Sequence, residues 1–392
     1  MPTMSSRERV LKAFRHEEPD RTPIFELYGV QPPTADMVLG RPGIDFARRM
    51  DYLAEGDWQG PMDRAARDLV DLAKAFHWDM VGLGPNLPRD YERPVKVGEN
   101  LWRTADSMTR SLHLLGHGDA LTRYVPESGW KGYTPLVPKS VEQLEAEMLA
   151  EIEKEYEPPA LGGDQLYVFR EVKRMLREEG LDLAIAVSAY SLPVAWLHSF
   201  MLDWFYRYPK HLDRFYEKYT RSATETAKRL VELGADVVML GGDLASDAGP
   251  VLSPAHYREF LLPYVRRQAD TFHQMGTFVC NVTDGNLWLL IDDFLISSRV
   301  DGYSEIDKAA GMDLGPLKQR FGDRICFLGN VDCRRTLCSG TVDEVKRETI
   351  ECIQKGWGNG GHILMSSNSI HRGVKPENYL AMVEAHRQYF AY

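Results

Sequence analysis

The chain has 392 residues, 44% of them hydrophobic and 27% charged, the balance of a folded protein with a large buried core rather than a disordered one. Its formal net charge of -10 disfavours nucleic acid or an anionic membrane surface as the main partner. No apolar run is long enough to span a bilayer, no secretory h-region follows Met1, and the five cysteines include no CxxC pair; a cytoplasmic protein with reduced thiols is expected.

Ser5-Ser6-Arg7-Glu8 is a capping box that opens a helix with an apolar stripe of Val10, Leu11 and Phe14. Pro19 and Pro23 lie beyond its end, and Pro23 to Tyr28 is a short β-rich run closed by Gly29, expected as the first strand. Strand-like runs then recur at Asp79–Leu83, Leu183–Ser188, Ala235–Leu240, Thr277–Val282, Val300–Ser304, Ile325–Asn330 and His362–Ser366. They are apolar without alternation, as strands covered on both faces are. Helical stretches follow the later ones; Ser253-Pro254 starts one, and the capping box from Thr341 to Glu344 starts another. This order, with no Gly-rich nucleotide turn, predicts a single-domain α/β (β/α)8 TIM barrel over residues 1–392. Residues 85–165, rich in Pro, Gly, Trp and Tyr, break the rhythm and read as an insertion on the barrel; the charged run Glu142–Glu157 reads as a solvated helix.

Function in such barrels sits at the C-terminal ends of the strands. The polar residues there are Glu26, Ser188, Asp243, Asp284, Glu305, Asn330, Asp332 and Asn368. Carboxylates converging on one mouth need a cation, a shared proton or a basic ligand. Asp284, Asp243 and Glu305 are therefore the candidate acids. Set against this, Asp284 before Gly285 also suits a plain turn, and Asp243 a loop cap. Glu26, Asn330 and Asn368 are candidates for holding substrate, while Tyr28 and Tyr190 could stack on an aromatic ligand or belong to the core. Metal ligation is open among Asp284, Glu305 and Cys280, the last reading better as a packing thiol.

Three stretches carry a resemblance: Gly234–Asp243 followed by Gly249-Pro250 and Ser253–Phe260; Thr283–Asn286 running to Ala310–Asp313; and Gly329–Asp332 with Gly340–Val345, Gly360–Leu364 and Pro376–Asn378. With Arg7–Val10 and Pro19–Pro23, they resemble the uroporphyrinogen-decarboxylase superfamily almost end to end, outside the insertion. The resemblance implies a TIM barrel and one of two chemistries. True decarboxylases hold a tetrapyrrole's carboxylates with an Arg-Gln-Ala-Gly-Arg stretch after the first strand, where this chain has Phe25-Glu26-Leu27-Tyr28-Gly29; their Gly-His-Gly is here Ser367-Asn368-Ser369. Corrinoid-dependent methyltransferases of the thiol type bind zinc through His-x-Cys and a last-strand Cys; these places read Val282-Thr283-Asp284 and Asn368. The resemblance thus implies a methyltransferase that takes a methyl group from a small donor, an aryl methyl ether or methylamine, to the cobalt of a separate corrinoid protein, since the chain lacks an Asp-x-His-x-x-Gly motif of its own. It leaves zinc open and admits a homodimer. The alternatives are a decarboxylase-like lyase for another carboxylated substrate, and a non-catalytic binding barrel.

Overall fold

The computed structural model describes residues 4–27, 29–105, 118–126, 130–190, 192, 194, 197 and 199–389, excepting the side chains of Trp130 and Ser199. In chain order the strands are β1 (Met80–Leu83), β2 (Val95–Gly98), β3 (Leu101–Thr104), β4 (Ala120–Val125), β5 (Trp130–Pro135), β6 (Ala184–Ser188), β7 (Val237–Gly241), β8 (Ala245–Ser246), β9 (Gly249–Pro250), β10 (Phe278–Val282), β11 (Gly302–Ser304), β12 (Cys326–Leu328) and β13 (His362–Ile363). Seven of them form a parallel sheet in the order β1-β6-β7-β10-β11-β12-β13. The eighth stave is the extended segment from Pro23 to Leu27. The Phe25 N–H donates to the Leu364 carbonyl at 3.0 Å, the Leu364 N–H to Pro23 at 2.8 Å, and the Asp79 N–H to Ile24 at 2.8 Å. Those bonds join the two edges of the sheet into the expected barrel. The expected first strand is reduced to the isolated bridge Ile24–Leu364, in part because Pro23 has no N–H to extend the ladder.

Successive side chains of a strand point to opposite faces. Here Leu27, Ala186, Met239, Val282, Leu328 and Met365 fill the barrel interior, while Val81, Ile185, Val238, Leu240 and Phe327 lie in the larger core shared with the helices. Both faces are buried, which is why the runs are apolar without alternation. Helix Ser6–Phe14, its Ser5 hydroxyl accepting the Glu8 N–H at 3.1 Å, plugs the N-terminal end. Its Val10, Ala13 and Phe14 join the interior core, and Phe14 stacks on Phe278 at 5.1 Å. Gly302 makes room for this plug: a Cβ there would stand 2.9 Å from the Phe14 ring and 3.2 Å from Cys280 Sγ.

Three aspartates pin the register at that end. Each directly precedes its strand or stands at its first turn, and each carboxylate accepts a backbone N–H of the preceding stave: Asp79 from Ile24 at 2.9 Å, Asp236 from Ile185 at 3.0 Å, Asp301 from Val279 at 2.7 Å. Each also has a basic partner. Asp79, wholly buried, takes Arg9 at 2.7 Å and both Arg21 nitrogens at 2.8 Å; Asp236 takes Arg7 at 2.7 Å and Asp301 takes His273 at 2.8 Å.

The inserted region is a four-stranded antiparallel sheet, β2-β3-β4-β5, followed by helix Val141–Glu153. The sheet packs on helix Phe46–Glu55 through Trp102 and Tyr124, whose rings lie 6.2 and 5.6 Å from that of Phe46. The helix buries only Met148 and Ile152 and is closed by a Ser140–Gln143 capping box, so the expected solvated helix is present. Among the described residues no helix is long and apolar enough to cross a membrane.

Removing one member of a buried, hydrogen-bonded charge cluster strands the others. Asp79→Ala should therefore lose about 3–5 kcal/mol in urea unfolding. A loss below about 1 kcal/mol would show that the cluster does not hold the closure.

Candidate functional site

The loops after β7 and β10 are stitched together over the C-terminal end of the barrel. The Leu244 N–H donates to Thr283 Oγ1 at 3.1 Å, and the Asn286 N–H to the Ser246 carbonyl at 2.9 Å. Two glycines permit the approach. A Cβ on Gly241 would stand 2.2 Å from the Val282 carbonyl oxygen, and one on Gly285, at φ +80°, 2.7 Å from the Ala245 backbone. This seam brings Asp243 and Asp284 together.

Asp284 is half-buried, and burial pushes its carboxyl up to about 6, reinforced by the charges of Asp243 and Asp307 and opposed by Arg334. Asn368 Nδ2 donates to Asp284 Oδ2 at 3.0 Å, while Asn368 Oδ1 accepts the Ser369 N–H at 2.6 Å and its hydroxyl at 3.1 Å, which fixes the orientation of the amide. Arg334 binds Asp247 with both terminal nitrogens, at 2.8 and 2.9 Å, and Asp307 at 3.1 Å. One guanidinium thereby ties together the β8–β9 turn and the loops that follow β11 and β12. Asp307 also accepts the Ala309 and Ala310 N–H groups.

Behind this mouth lies Glu26. Its neighbours in sequence, Phe25 and Leu27, face the barrel interior, so its own side chain turns outward, toward the C-terminal helix Pro376–Tyr389. It is 2% exposed, and burial pushes its carboxyl up to about 8. Ser366 contacts it through its N–H at 3.2 Å and its hydroxyl at 2.7 Å, Tyr379 hydrogen-bonds it, and the Trp78 indole N–H donates to the Tyr379 oxygen at 3.1 Å. The Ser366 hydroxyl also contacts the Asn368 carbonyl oxygen, which can only accept. The one hydroxyl proton satisfies that carbonyl when Glu26, protonated, donates to Ser366. A continuous line of hydrogen bonds then runs from Trp78 through Tyr379, Glu26 and Ser366 to Asn368, whose amide holds Asp284. Glu26, expected to touch substrate, is placed instead as the buried support of the residue that does face the mouth.

Asn330 also departs from expectation. It is 2% exposed; its amide donates to the Ile306 and Met312 carbonyls at 3.3 and 3.0 Å and its oxygen accepts from Cys352. Its hydrogen-bonding groups hold the chain's own loop. Glu305 follows β11 with a left-handed backbone, φ 65°, and is 4% exposed; its charge bears on Cys280 and Tyr303. Cys280 is wholly buried in the barrel interior, packed among its apolar side chains, and burial drives its thiol well above the usual range. Asp332 caps the following turn through the Arg334 and Arg335 N–H groups. Tyr190 is half-buried and packs against the interior core. Tyr28 lies outside the described residues. Among the described residues no three His, Cys, Asp or Glu side chains gather as a metal-binding set. Asp307, Asp247 and Arg334 were not singled out from the sequence, although Arg334 follows the strand-end run Asn330–Asp332 closely enough to have been sought there.

With this geometry in hand, the family follows. The model for uroporphyrinogen decarboxylase (URO-D) matches residues 132–389, and the chain belongs to that family. Among curated relatives it is 27% identical over 195 residues to a uroporphyrinogen decarboxylase of Chlorobium phaeobacteroides, covering 48% of this chain and 52% of that one. It is 29% identical over 192 residues to one of Alkalilimnicola ehrlichii, covering 47% and 48%. The chain thus spans about half the length of the curated relatives it matches. In fold it is similar to a methyltransferase from Methanosarcina mazei, with a TM-score of 0.66, 20% identity, and 99% and 100% of the two chains covered.

Glu26 gives a test by pH. Its folded value of about 8 lies above the unfolded one, so the stability it contributes is full below about pH 4 and is lost as pH rises to about 8. Glu26→Gln keeps the shape and cannot ionise. Its urea midpoint should match the parent near pH 5 and exceed it at pH 8, by about 2–4 kcal/mol. Equal midpoints at both pH values would mean that Glu26 is ionised in the folded protein.

Proposed function

We propose that this protein moves a methyl group from a small methylated donor, an aryl methyl ether or a methylamine, to the cobalt of a separate corrinoid protein. The observation that carries this reading is Asp284: a carboxyl at the barrel mouth, pushed up to about 6 and held by Asn368, able to give a proton near neutral pH. Methyl transfer requires that the departing heteroatom be neutralised. For an ether, the bond between methyl carbon and oxygen breaks, the oxygen keeps the electron pair, and it takes the Asp284 proton. Asn368 then donates to the new carboxylate, and Arg334 offsets its charge. Asp243 keeps the Asp284 proton in place before the reaction by repelling the ionised form. Tyr190 supplies an aromatic floor for the donor.

The corrinoid supplies the electron pair that accepts the methyl group when it is bound. The surroundings of the mouth fit a guest approaching from above: Leu289 and Val251 stand 73% and 48% exposed on the loops beside Asp284 and Asp243. Zinc activation does not fit, since Cys280 is enclosed and Asp284 is held by an amide. Family membership also supports a second reading, a cofactor-free decarboxylase for a carboxylated substrate. It predicts carbon dioxide release and no dependence on cobalt. The non-catalytic barrel predicts neither.

The direct assay follows the loss of cob(I)alamin absorbance, without oxygen, against methyl ethers and methylamines. Turnover should fall as pH rises above about 6, and Asp284→Asn should lower it about 10²–10⁴-fold. No turnover with any donor, with a corrinoid protein supplied, would overturn the reading. The same variant should not lose stability. Because the Asp284 carboxyl lies above its unfolded value, its contribution is lost as pH rises through about 6, so Asp284→Asn at pH 7 should gain about 1 kcal/mol after allowance for solvent screening. A variant that lost both activity and several kcal/mol would mark Asp284 as structural.

A further inference from the structure

The N-terminal end of the barrel carries a cleft that the site at the mouth does not use. It lies between the first turn of helix Ser6–Phe14, the end of helix Tyr167–Glu178 and the start of β6, and its volume is about 480 Å³. Small molecules bind in pockets of about 300–1,000 Å³ that are mostly apolar with a few placed polar groups. This cleft has that make-up. Its floor is Leu176, Leu183 and Ile185, all buried residues of the main core. Three cations stand around the floor: Arg7 from the first helix, Lys173 and Arg177 from the second. Residues three and four apart on a helix are neighbours, so Lys173, Leu176 and Arg177 form one continuous face.

The fold positions these cations and leaves donors over. Arg7 binds Asp236 through Nε at 2.9 Å and Nη2 at 2.7 Å, which leaves Nη1 without a partner among the described residues. Lys173 donates to the Leu233 carbonyl, and an ammonium has two more hydrogens to give. Gly234 admits it there, since a Cβ on that residue would stand 2.7 Å from the Lys173 Nζ. Among the described residues the Arg177 guanidinium has no partner. The acids of the cleft are Asp236, already engaged by Arg7, and Asp182, exposed on the rim, so three cations face two acids. Unused cationic donors beside an apolar floor are complementary to a carboxylate carried on an apolar body: the head gains charge-assisted hydrogen bonds and the body leaves water.

We propose that this cleft is a second binding site, which takes an amphipathic organic anion, its carboxylate among Arg7, Lys173 and Arg177 and its apolar body along Leu176, Leu183 and Ile185. The site is built on the Arg7–Asp236 pair that sets the register of β6, so its occupant adds to the stability of the fold by mass action. It lies at the opposite end of the barrel from Asp284 and stands whichever reaction the mouth performs.

The test is calorimetric titration of the full chain with octanoate, with octanol and with inorganic phosphate. Octanoate should saturate. The other two should bind at least about tenfold more weakly, octanol for want of charge and phosphate for want of an apolar body. Arg177→Gln and Lys173→Gln should each weaken octanoate about three- to tenfold. Arg177 supports nothing in the fold, so Arg177→Gln should keep the parent's Tm and reduce the rise in Tm that octanoate gives. This variant decides the matter even if Lys173→Gln, which gives up the Leu233 carbonyl, fails to fold. Octanoate that does not saturate, or that binds Arg177→Gln as it binds the parent, overturns the proposal. Octanol binding as tightly as octanoate also overturns it, since the cations would then be idle, and so does phosphate binding as tightly, since the floor would be. Turnover in the cob(I)alamin assay is a separate readout, so failure of this site and failure of the methyl-transfer reading are told apart.

Discussion

Closing the ring is the constraint on which the rest depends. A parallel sheet has two edges, and here they meet through a short stave that can form only an isolated bridge. Asp79 compensates. Its backbone N–H reaches Ile24, its carboxylate holds the Ile24 N–H, and Arg9 and Arg21 converge on the same carboxylate. An ion cluster of this kind is costly to desolvate and strongly directional once made. It sets the register of the closing stave, and a slip of one residue would turn every side chain on that stave to the other face. Glu26, two residues beyond Ile24, would then face the interior and lose Ser366 and Tyr379. The chemistry at one end of the barrel is thus held by electrostatics at the other.

The two ends follow opposite rules. At the N-terminal end each register-setting aspartate has a basic partner and a backbone donor. At the mouth, acids stand near one another with Arg334 as their cation, and burial, reinforced by the neighbouring acids, pushes the Asp284 carboxyl up to about 6. This division between a stabilising face and a reactive face is general for such barrels. It also accounts for the buried line from Trp78 to Asn368. An amide that must hold a titrating carboxyl is better fixed from behind by groups that stay neutral, and Glu26, pushed up to about 8, remains so through the range in which Asp284 changes charge.

Much of the fold was legible because the signals are local. Apolar runs bounded by Asp79, Asp236 and Asp301 mark strands, and Ser5, Ser253 and Thr341 mark helix starts. Position at a strand end also pointed to Asp284, Asp243 and Asn368, which the structure brings to one seam. Strand-end position does not say which way a side chain turns. Glu26 and Asn330 occupy the expected places but face their own scaffold, a distinction set by register and by loop packing. Arg334, Asp247 and Asp307 come from three loops; no spacing in a sequence announces that such residues meet.

The plug formed by Phe14 and Phe278, admitted by the bare Gly302, joins the packed interior of the barrel, so that among the described residues Asp284 is approached from the mouth and not through the barrel. Whatever small molecule reaches Asp284 goes in and comes out past the same rim that any larger partner would cover. Under the proposed transfer to a larger partner, traffic would therefore be sequential: the small molecule first, the large one over it, and release in the reverse order. For the methyl transfer proposed above, that geometry would impose an ordered mechanism, in which excess of the large partner covers the mouth and slows turnover instead of speeding it.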